Sequence, residues 1–307
     1  METNEALKKR LIENAKDRLC SFTMDNGGVR GAAVNATRLV KDMKQRHGLG
    51  IMETLILGHA CIGSVLMASA LKGNDRLKLQ INCSGEVKGL VTEANSFGDV
   101  RGYLFNPSFK ITEEIKSFDT SQFFKAGFLN VTYFKKDSKT PYSGQVMLEY
   151  GEIAKEISNY YLVSEQIPSA CSLSITFSPE GEITGAGGIL VQKMPEAKEN
   201  LVEKLEKAFL LIPSLGEEYK AGASTEEIIN KYLKDFNPKI LSSRRAAFSC
   251  SCEKERFLGY IKGLGKKTLG EILEDNKFPM EVVCHYCSRK FYFEKNIIQQ
   301  AYNETKN

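Results

Sequence analysis

The sequence predicts an α+β fold with three parts. These are a large mixed α/β core domain with antiparallel strands over residues 1–195, a helical linker over 196–246 and a small Cys₄ zinc-binding domain over 247–307. Three observations support this division. Strand-like segments of alternating polarity fill the first part without a βαβ repeat, a highly charged helical stretch follows residue 195, and two close cysteine pairs lie near the C-terminus.

The first fifty residues combine helical and strand patterns. We expect a helix from Glu5 to Cys20 from its charge spacing, a turn at residues 25–28, a strand from Gly31 to Val34 and an amphipathic helix from Thr37 to His47. Met1 to Arg18 has no apolar core of the kind a secretory signal needs, so we expect a cytoplasmic protein.

Residues 54–71 form a continuous stretch without Lys, Arg, Asp or Glu. The stretch is at the short limit for a membrane span, contains His59 and Ser64, and lacks flanking aromatic residues. We therefore expect a helix buried in a soluble core and no membrane partner.

A series of strands follows this helix. Leu77, Leu79 and Ile81 alternate with polar residues, which is typical of a half-buried strand. Similar patterns predict a meander over 77–81, 87–92 and 100–105, two further strands at 128–133 and 145–148, a helix over 151–164, and a hairpin of 171–177 with 183–192.

The predicted linker holds nine acidic and nine basic residues in 51 positions. Its apolar residues recur with helical spacing around Leu201 and Leu205, and Ser224 with Glu227 forms a capping box before a second helix. Short, highly charged helices are marginal alone, so their stability must come from packing onto another part of the protein.

The four C-terminal cysteines are Cys250, Cys252, Cys284 and Cys287, and the segment 253–283 separates the two pairs. Two close thiol pairs at this spacing are typical of a tetrahedral zinc site. Four thiolates would leave no open position for a substrate or water, so we expect one structural Zn²⁺. Around them we expect a helix that starts at a Thr268 capping box and ends near Asp275, strands at 281–283 and 291–293, and a last helix over 294–302.

The same spacing allows redox chemistry. If zinc leaves, Cys284 and Cys287 can close into a disulfide, and a Cys250–Cys252 disulfide would close a small, strained ring. Neighbouring cations favour the thiolate form, which favours oxidation. These cations are Lys254, Arg256, His285, Arg289 and Lys290.

Other functional patterns are weak. Residues 263–268 fail the phosphate-loop pattern, and in residues 185–188 we expect a turn or close strand packing rather than a dinucleotide site. Only three histidines exist, and no catalytic set of side chains stands out, so we expect no enzyme activity. The other four cysteines, for which we expect free thiols, are Cys20, Cys61, Cys83 and Cys171.

The C-terminal pattern of Cys250, Cys252, Cys284 and Cys287, taken with the rest of the chain, resembles the oxidation-activated thirty-three-kilodalton chaperonin family, the bacterial redox-regulated heat-shock holdases. The resemblance covers almost the whole chain in order. The matching stretches are Leu71–Gly73 with Leu79–Ile81, Val100–Tyr103, Tyr160–Tyr161 through Ser164–Ser169, Ala186–Gly188 with Val191–Gln192, Glu255 with Arg256, and the four cysteines.

The resemblance implies a mechanism. Zinc on the four cysteines would keep the reduced protein inactive, with the linker packed on the core. Oxidants would form the Cys250–Cys252 and Cys284–Cys287 disulfides, expel zinc and unfold the linker and the zinc domain. The exposed apolar surface would capture unfolding client proteins without ATP, and the active form would be a homodimer.

Two other classes stay open. A zinc-ribbon protein that binds nucleic acid would want clustered cations, yet residues 247–307 hold ten basic and eight acidic residues. The net charge of +4 is mixed through the chain, and we expect no nucleic-acid partner. A thiol–disulfide oxidoreductase would use Cys284 and Cys287, but no thioredoxin-like βαβ pattern surrounds them.

Overall fold

The computed structural model describes residues 17–109, 118–195, 197 and 201–305. The chain divides into two compact units, residues 1–249 and 250–307. The sequence predicted a helix over residues 5–20. Residues 5–16 of this prediction lie outside the described residues. Arg18–Cys20 belong to a strand, so the prediction is wrong for these three residues. Residues 196 and 198–200, at the start of the predicted linker, also lie outside the described residues.

The first unit contains two sheets and seven described α-helices. Its strands are β1 Arg18–Met24, β2 Val29–Asn35, β3 Arg76–Cys83, β4 Gly89–Asn95, β5 Asp99–Leu104, β6 Gly127–Phe134, β7 Tyr142–Met147, β8 Ser169–Phe177, β9 Ile183–Lys193, β10 Lys239–Arg245 and β11 Ala247–Phe248. Its helices are α1 Thr37–His47, α2 Ile51–Ala68, α3 Ser121–Phe124, α4 Ile153–Val163, α5 Leu201–Leu210, α6 Leu215–Lys220 and α7 Thr225–Tyr232.

The two sheets confirm the predicted antiparallel core. One has the strand order β10-β1-β2-β9-β8, and the other has the order β11-β5-β4-β3-β6-β7. Every pair is antiparallel except the short parallel pair of β11 with β5. The alternation in β3 is confirmed, because Leu77, Leu79 and Ile81 are buried. The predicted meander and the β8–β9 hairpin are present as well.

Helix α2 lies in the core of the first unit, where it contacts β4 and β5 of one sheet and β8 and β9 of the other. By length and composition it is the one helix among the described residues that could cross a membrane, and 89% of it is buried. The prediction of a buried helix is confirmed. Gly58 and Gly63 leave room for neighbouring side chains, since added Cβ atoms would meet Ile175 and Ile157.

Residues 201–245 pack against the first sheet. The predicted capping box is present, because Ser224 and Glu227 exchange both hydrogen bonds at the start of α7. Strand β10 was not predicted, and it adds to the sheet beside β1. Helices α5–α7 and β1, β2 and β9 share one buried apolar cluster, whose members include Phe22, Met24, Ile189, Val191, Leu201, Leu205, Leu215, Tyr219, Ile228, Ile229 and Leu233.

Helix α6 lies unusually close to β9. A Cβ atom added at Gly185 would overlap the carbonyl oxygen of Gly216. The Gly216 N–H donates to Ser174 Oγ at 3.1 Å. Residues 185–188 lie within β9 and pack closely, so of the predicted turn or close strand packing the structure shows close packing.

The second unit contains α8 Lys254–Lys262, α9 Lys266–Asp275, β12 Met280–Val283, β13 Lys290–Phe293 and α10 Lys295–Glu304. The Thr268 capping box is wrong, because α9 begins at Lys266 after Gly265, whose φ is +83°. The end of α9 at Asp275 agrees with the prediction. The buried residues of this unit's apolar cluster are Ile261, Leu269, Phe293, Ile298 and Ala301.

Candidate metal centre

The second cysteine pair lies in the turn of the β12–β13 hairpin. Val283 pairs with Lys290, so residues 284–289 connect the two strands. The Cys284 N–H donates to the Arg289 carbonyl at 2.9 Å, and the N–H groups of Cys287 and Ser288 donate to the Cys284 carbonyl at 3.3 and 2.7 Å. Ser288 takes a left-handed φ of +55° to complete this turn. The backbone thus brings both thiols into one tight loop.

The first cysteine pair lies in the non-helical segment that precedes α8. Arg289 Nη1 donates to the Cys252 carbonyl oxygen at 3.4 Å, which joins this segment to the hairpin turn. From the sequence, Arg289 is expected only to be a positive charge near the thiols. Its contact with a carbonyl 37 positions away has no local signal in the sequence.

The structure brings all four predicted cysteines together. Their Sγ atoms lie within 4.8 Å of one another. The Cys250 and Cys284 sulfurs are 3.9 Å apart, and the Cys252 and Cys287 sulfurs are 3.3 Å apart. Four thiolates at the 2.3 Å Zn–S distance would be about 3.8 Å apart in a tetrahedron. The donor set and spacing therefore fit a small thiophilic cation.

The electrostatics of the cluster also favour a cation. Burial raises the pKa of the Cys284 thiol to about 11, and neighbouring thiols contribute to that rise. The pKa of Cys252 is raised for the same reasons. A metal ion among the sulfurs would stabilise the thiolates, which burial alone disfavours.

Three of the neighbouring cations have identified partners in the second unit. Lys290 Nζ lies 3.1 Å from a carboxylate oxygen of Glu281, and Lys254 Nζ lies 5.2 Å from the centre of the Phe293 ring. Arg289 is engaged by the Cys252 carbonyl. These cations have partners within the second unit, and the prediction that they favour the thiolate form stays a prediction.

The other four cysteines lie in the first unit, outside this cluster, and are free thiols as predicted. Cys20 and Cys61 are buried, whereas Cys83 and Cys171 are half-buried. Burial raises the pKa of both Cys20 and Cys171 to about 12. Thiols with raised pKa values are poor nucleophiles, so the folded protein keeps them unreactive.

Comparison with known proteins identifies the family. A family model described as Hsp33 protein matches residues 17–294, which is nearly the whole chain. The chain belongs to the Hsp33 family. This finding confirms the resemblance drawn from the four cysteines and the core stretches.

Individual relatives agree with this family assignment. The 33 kDa chaperonin of Ruminiclostridium cellulolyticum is 34% identical over 290 residues, which cover 94% of this chain and 98% of the relative. The 33 kDa chaperonin of Bacillus subtilis is 31% identical, with coverage of 91% and 96%.

A solved structure also shares the fold. The crystal structure of the 33 kDa chaperonin from Thermotoga maritima matches with a TM-score of 0.85 and 28% identity, and the match covers 94% of this chain and 98% of that one. The predicted α+β class is therefore confirmed, and the family supports a chaperone role. The C-terminal cysteine cluster fits a zinc-binding domain within this fold.

Proposed function

We propose that this protein is a redox-regulated, ATP-independent holdase that is inactive when reduced and active when oxidised. The observation that carries the proposal is the convergence of four thiols within 4.8 Å in a chain of the Hsp33 family. In the proposal one Zn²⁺ is held by Cys250, Cys252, Cys284 and Cys287. The protein is not an enzyme, acts in the cytoplasm as a homodimer, and uses neither nucleic acid nor a membrane.

Zinc would hold the second unit folded. A structural zinc site is worth about 10–16 kcal/mol in a small peptide at neutral pH. This is as large as the stability of about 5–15 kcal/mol that is typical of a whole domain. The apolar cluster of the second unit has only five buried members among the described residues, so its own core offers little replacement. Loss of the metal would therefore unfold this unit.

Oxidation supplies the trigger in this proposal. Each cysteine pair loses two electrons to hypochlorous acid or a peroxide, its sulfurs join in a disulfide, and its thiolates no longer bind metal. The family resemblance favours the local pairs, Cys250–Cys252 and Cys284–Cys287. In the structure the short sulfur–sulfur contacts join Cys250 to Cys284 and Cys252 to Cys287. Peptide mapping of the oxidised protein distinguishes disulfides within each pair from disulfides between the pairs.

The unfolded state would expose apolar surface that binds clients. Cys250 follows β11 by two residues, so the unfolding segment is continuous with the strands that end the first unit. Helices α5–α7 and β10 would then detach and uncover the apolar cluster on β1, β2 and β9. Such a surface suits many unfolding proteins, because it is apolar and has no single geometric partner.

The proposal is tested by light scattering of a heat-aggregating protein without nucleotide. We expect suppression by the peroxide-treated protein, none by the reduced protein, and loss of suppression after the oxidised sample is reduced again with dithiothreitol and zinc. Equal protection by the reduced, metal-loaded protein would contradict the redox switch.

A further inference from the structure

A cleft of about 620 Å³ opens in the first unit between the core and residues 219–226. Its walls combine β1, the start of α1, the end of α6 and the start of α7. The residues that line it are Asp17, Arg18, Asn35, Thr37, Arg38, Lys41, Thr184, Tyr219, Lys220, Gly222, Ala223, Ser224, Thr225, Glu226 and Ser243. This volume is in the range of small-molecule sites, and the lining is rich in hydroxyl groups.

Positive charge is in excess in this cleft. Four cationic side chains line it, against the two carboxylates of Asp17 and Glu226. Both carboxylates are engaged by the protein: Asp17 accepts the N–H groups of Arg38 and Leu39 at 3.1 and 2.7 Å, and Glu226 accepts the thiol of Cys20 at 3.1 Å.

Two of the four cations in the cleft have an acidic partner within the part of the chain that the structure describes, and two do not. Arg38 lies 2.8 Å from Asp42, and Lys220 lies 3.1 Å from Glu217. Among the described residues, no acidic group lies within 4.0 Å of the charged nitrogens of Arg18 or Lys41. The cleft therefore has unneutralised positive charge that an anionic ligand would satisfy.

Tyr219 packs at the base of the cleft. Its side chain is 6% exposed, and its ring lies against Gly187 of β9, where an added Cβ atom would overlap it. The Thr225 hydroxyl beside it donates to the Arg18 carbonyl at 3.1 Å, which ties the start of α7 to β1. Tyr219 and Thr225 therefore form a packed wall of the cleft.

We propose that this cleft binds a small phosphate-bearing molecule. The phosphoryl oxygens would lie among Arg18, Lys41 and Lys220, since cations on several sides favour a dianion. The volume exceeds what one phosphate group fills, so the rest of the ligand is a small organic group that the hydroxyl-rich walls can hydrogen-bond.

The ligand would join the linker to the core. Tyr219, Lys220 and residues 222–226 belong to the segment whose release activates the protein under the proposed function, on which this consequence rests. A ligand that binds only the docked segment stabilises that state by mass action. Occupancy of the cleft would therefore delay activation by oxidant.

Isothermal titration calorimetry tests the site on the reduced full chain, with inorganic phosphate, pyrophosphate and AMP as probes. We expect at least one probe to bind with a Kd of about 1 mM or tighter. The double variant Lys41→Gln/Lys220→Gln should bind about tenfold or more weakly, because two charge-assisted contacts are lost. The matched control Lys135→Gln/Lys139→Gln removes the same charge from the exposed β6–β7 loop and should bind as the wild type does.

A stability measurement separates ligand binding from folding. Lys41 and Lys220 are exposed, so Lys41→Gln/Lys220→Gln should unfold at nearly the wild-type temperature without ligand. The proposal is overturned if no probe binds, or if the loop control loses as much affinity as the cleft variant.

The consequence for activation has its own readout. With the bound probe present, the oxidised protein should gain aggregation-suppressing activity several-fold more slowly than without it. An unchanged rate at saturation would refute the delay while the binding site stands. Absence of any such activity would refute the proposed function, and calorimetry would still decide the site.

Discussion

Single residues determine whether the second unit can hold a metal. Cys284 and Cys287 are brought together by their own hairpin turn, whereas Cys250 and Cys252 reach them from a distant segment. The thiols of Cys252 and Cys284 have raised pKa values when no cation is present, so a bound metal and their ionisation support each other.

Replacing one ligand tests this coupling. In Cys287→Ser the hydroxyl is a much poorer ligand than a thiolate, so we expect the protein to lose most of its zinc during dialysis against a weak chelator. Far-UV circular dichroism should show reduced helix content, because α8, α9 and α10 depend on the metal. Cys83→Ser, a half-buried cysteine outside the cluster, should retain one zinc per chain. Full zinc retention by Cys287→Ser would refute this ligand assignment.

His59 provides a prediction about pH. Its Nε2 atom is buried without a hydrogen-bond partner among the described residues, and burial lowers its pKa from 6.5 to about 4. In the unfolded chain the His59 imidazole therefore binds a proton near pH 6.5, whereas in the folded protein it stays neutral until the pH approaches 4. The free energy of unfolding is highest well above pH 6.5 and falls as the pH drops toward 4, by about 2 kcal/mol between pH 7.5 and pH 5.

The variant His59→Leu removes this titration. Its thermal midpoint should change less between pH 7 and pH 5 than that of the wild type, as measured by circular dichroism. Gln145→Leu, at an exposed position with no titrating side chain, serves as the control and should keep the wild-type pH dependence. An equal pH dependence of His59→Leu and the wild type would contradict a buried neutral imidazole.

At the scale of elements, helix α6 depends on the absence of a side chain at Gly185. Backbone atoms of Gly216 and Lys220 occupy the space that a Cβ atom would need. Backbone cannot move aside as the end of a flexible side chain can. Ala at this position would push α6 away from β9 at a cost of about 1–3 kcal/mol.

Gly185→Ala should therefore loosen the segment that the proposed function releases. We expect faster hydrogen exchange in α6 and α7, with β2 still protected, and partial aggregation suppression by the reduced protein. Gly259→Ala is the control, because an added Cβ there meets no atom within 4 Å. Wild-type exchange in α6 of Gly185→Ala would show that this packing does not hold the segment.

The sequence predicted the elements whose signal is local. Alternation identified β3, and Ser224 with Glu227 identified the start of α7. Strand β10 was not predicted because it is exposed along almost its whole length, so its sequence shows no alternation of buried and exposed positions. Its partner β1 also lies near the opposite end of the chain, so no local pattern indicates the pairing. The Thr268 motif predicted the start of α9 too late in the chain. The helix begins at Lys266, directly after Gly265, whose φ is positive.

The four-cysteine site was predictable because its signal is also local in the sequence. Two cysteine pairs at metal-ligand spacing are a local pattern, and the structure brings all four sulfurs together. The contact of Arg289 with the Cys252 carbonyl and the cleft beside Tyr219 depend on tertiary packing, which no spacing in the chain encodes. The predicted boundaries at 195 and 246 stay predictions.

At the scale of the whole molecule, the two units differ in what holds them together. The first unit has two multi-stranded sheets and the buried helix α2. The second has a two-stranded hairpin, three short helices and one small apolar cluster among its described residues. Under the proposed function, such a unit would lose its cooperative stability when the metal leaves, whereas the large core would keep its own.

Hydrogen–deuterium exchange of the zinc-loaded and the peroxide-oxidised protein tests the central claim most directly. Oxidation should remove protection from residues 254–304 and from α5–α7, while α2 and the β2–β9 and β3–β4 ladders stay protected. Zinc release should accompany the change, and reduction with added zinc should reverse it. Unchanged protection in residues 201–304 after full disulfide formation would contradict the account.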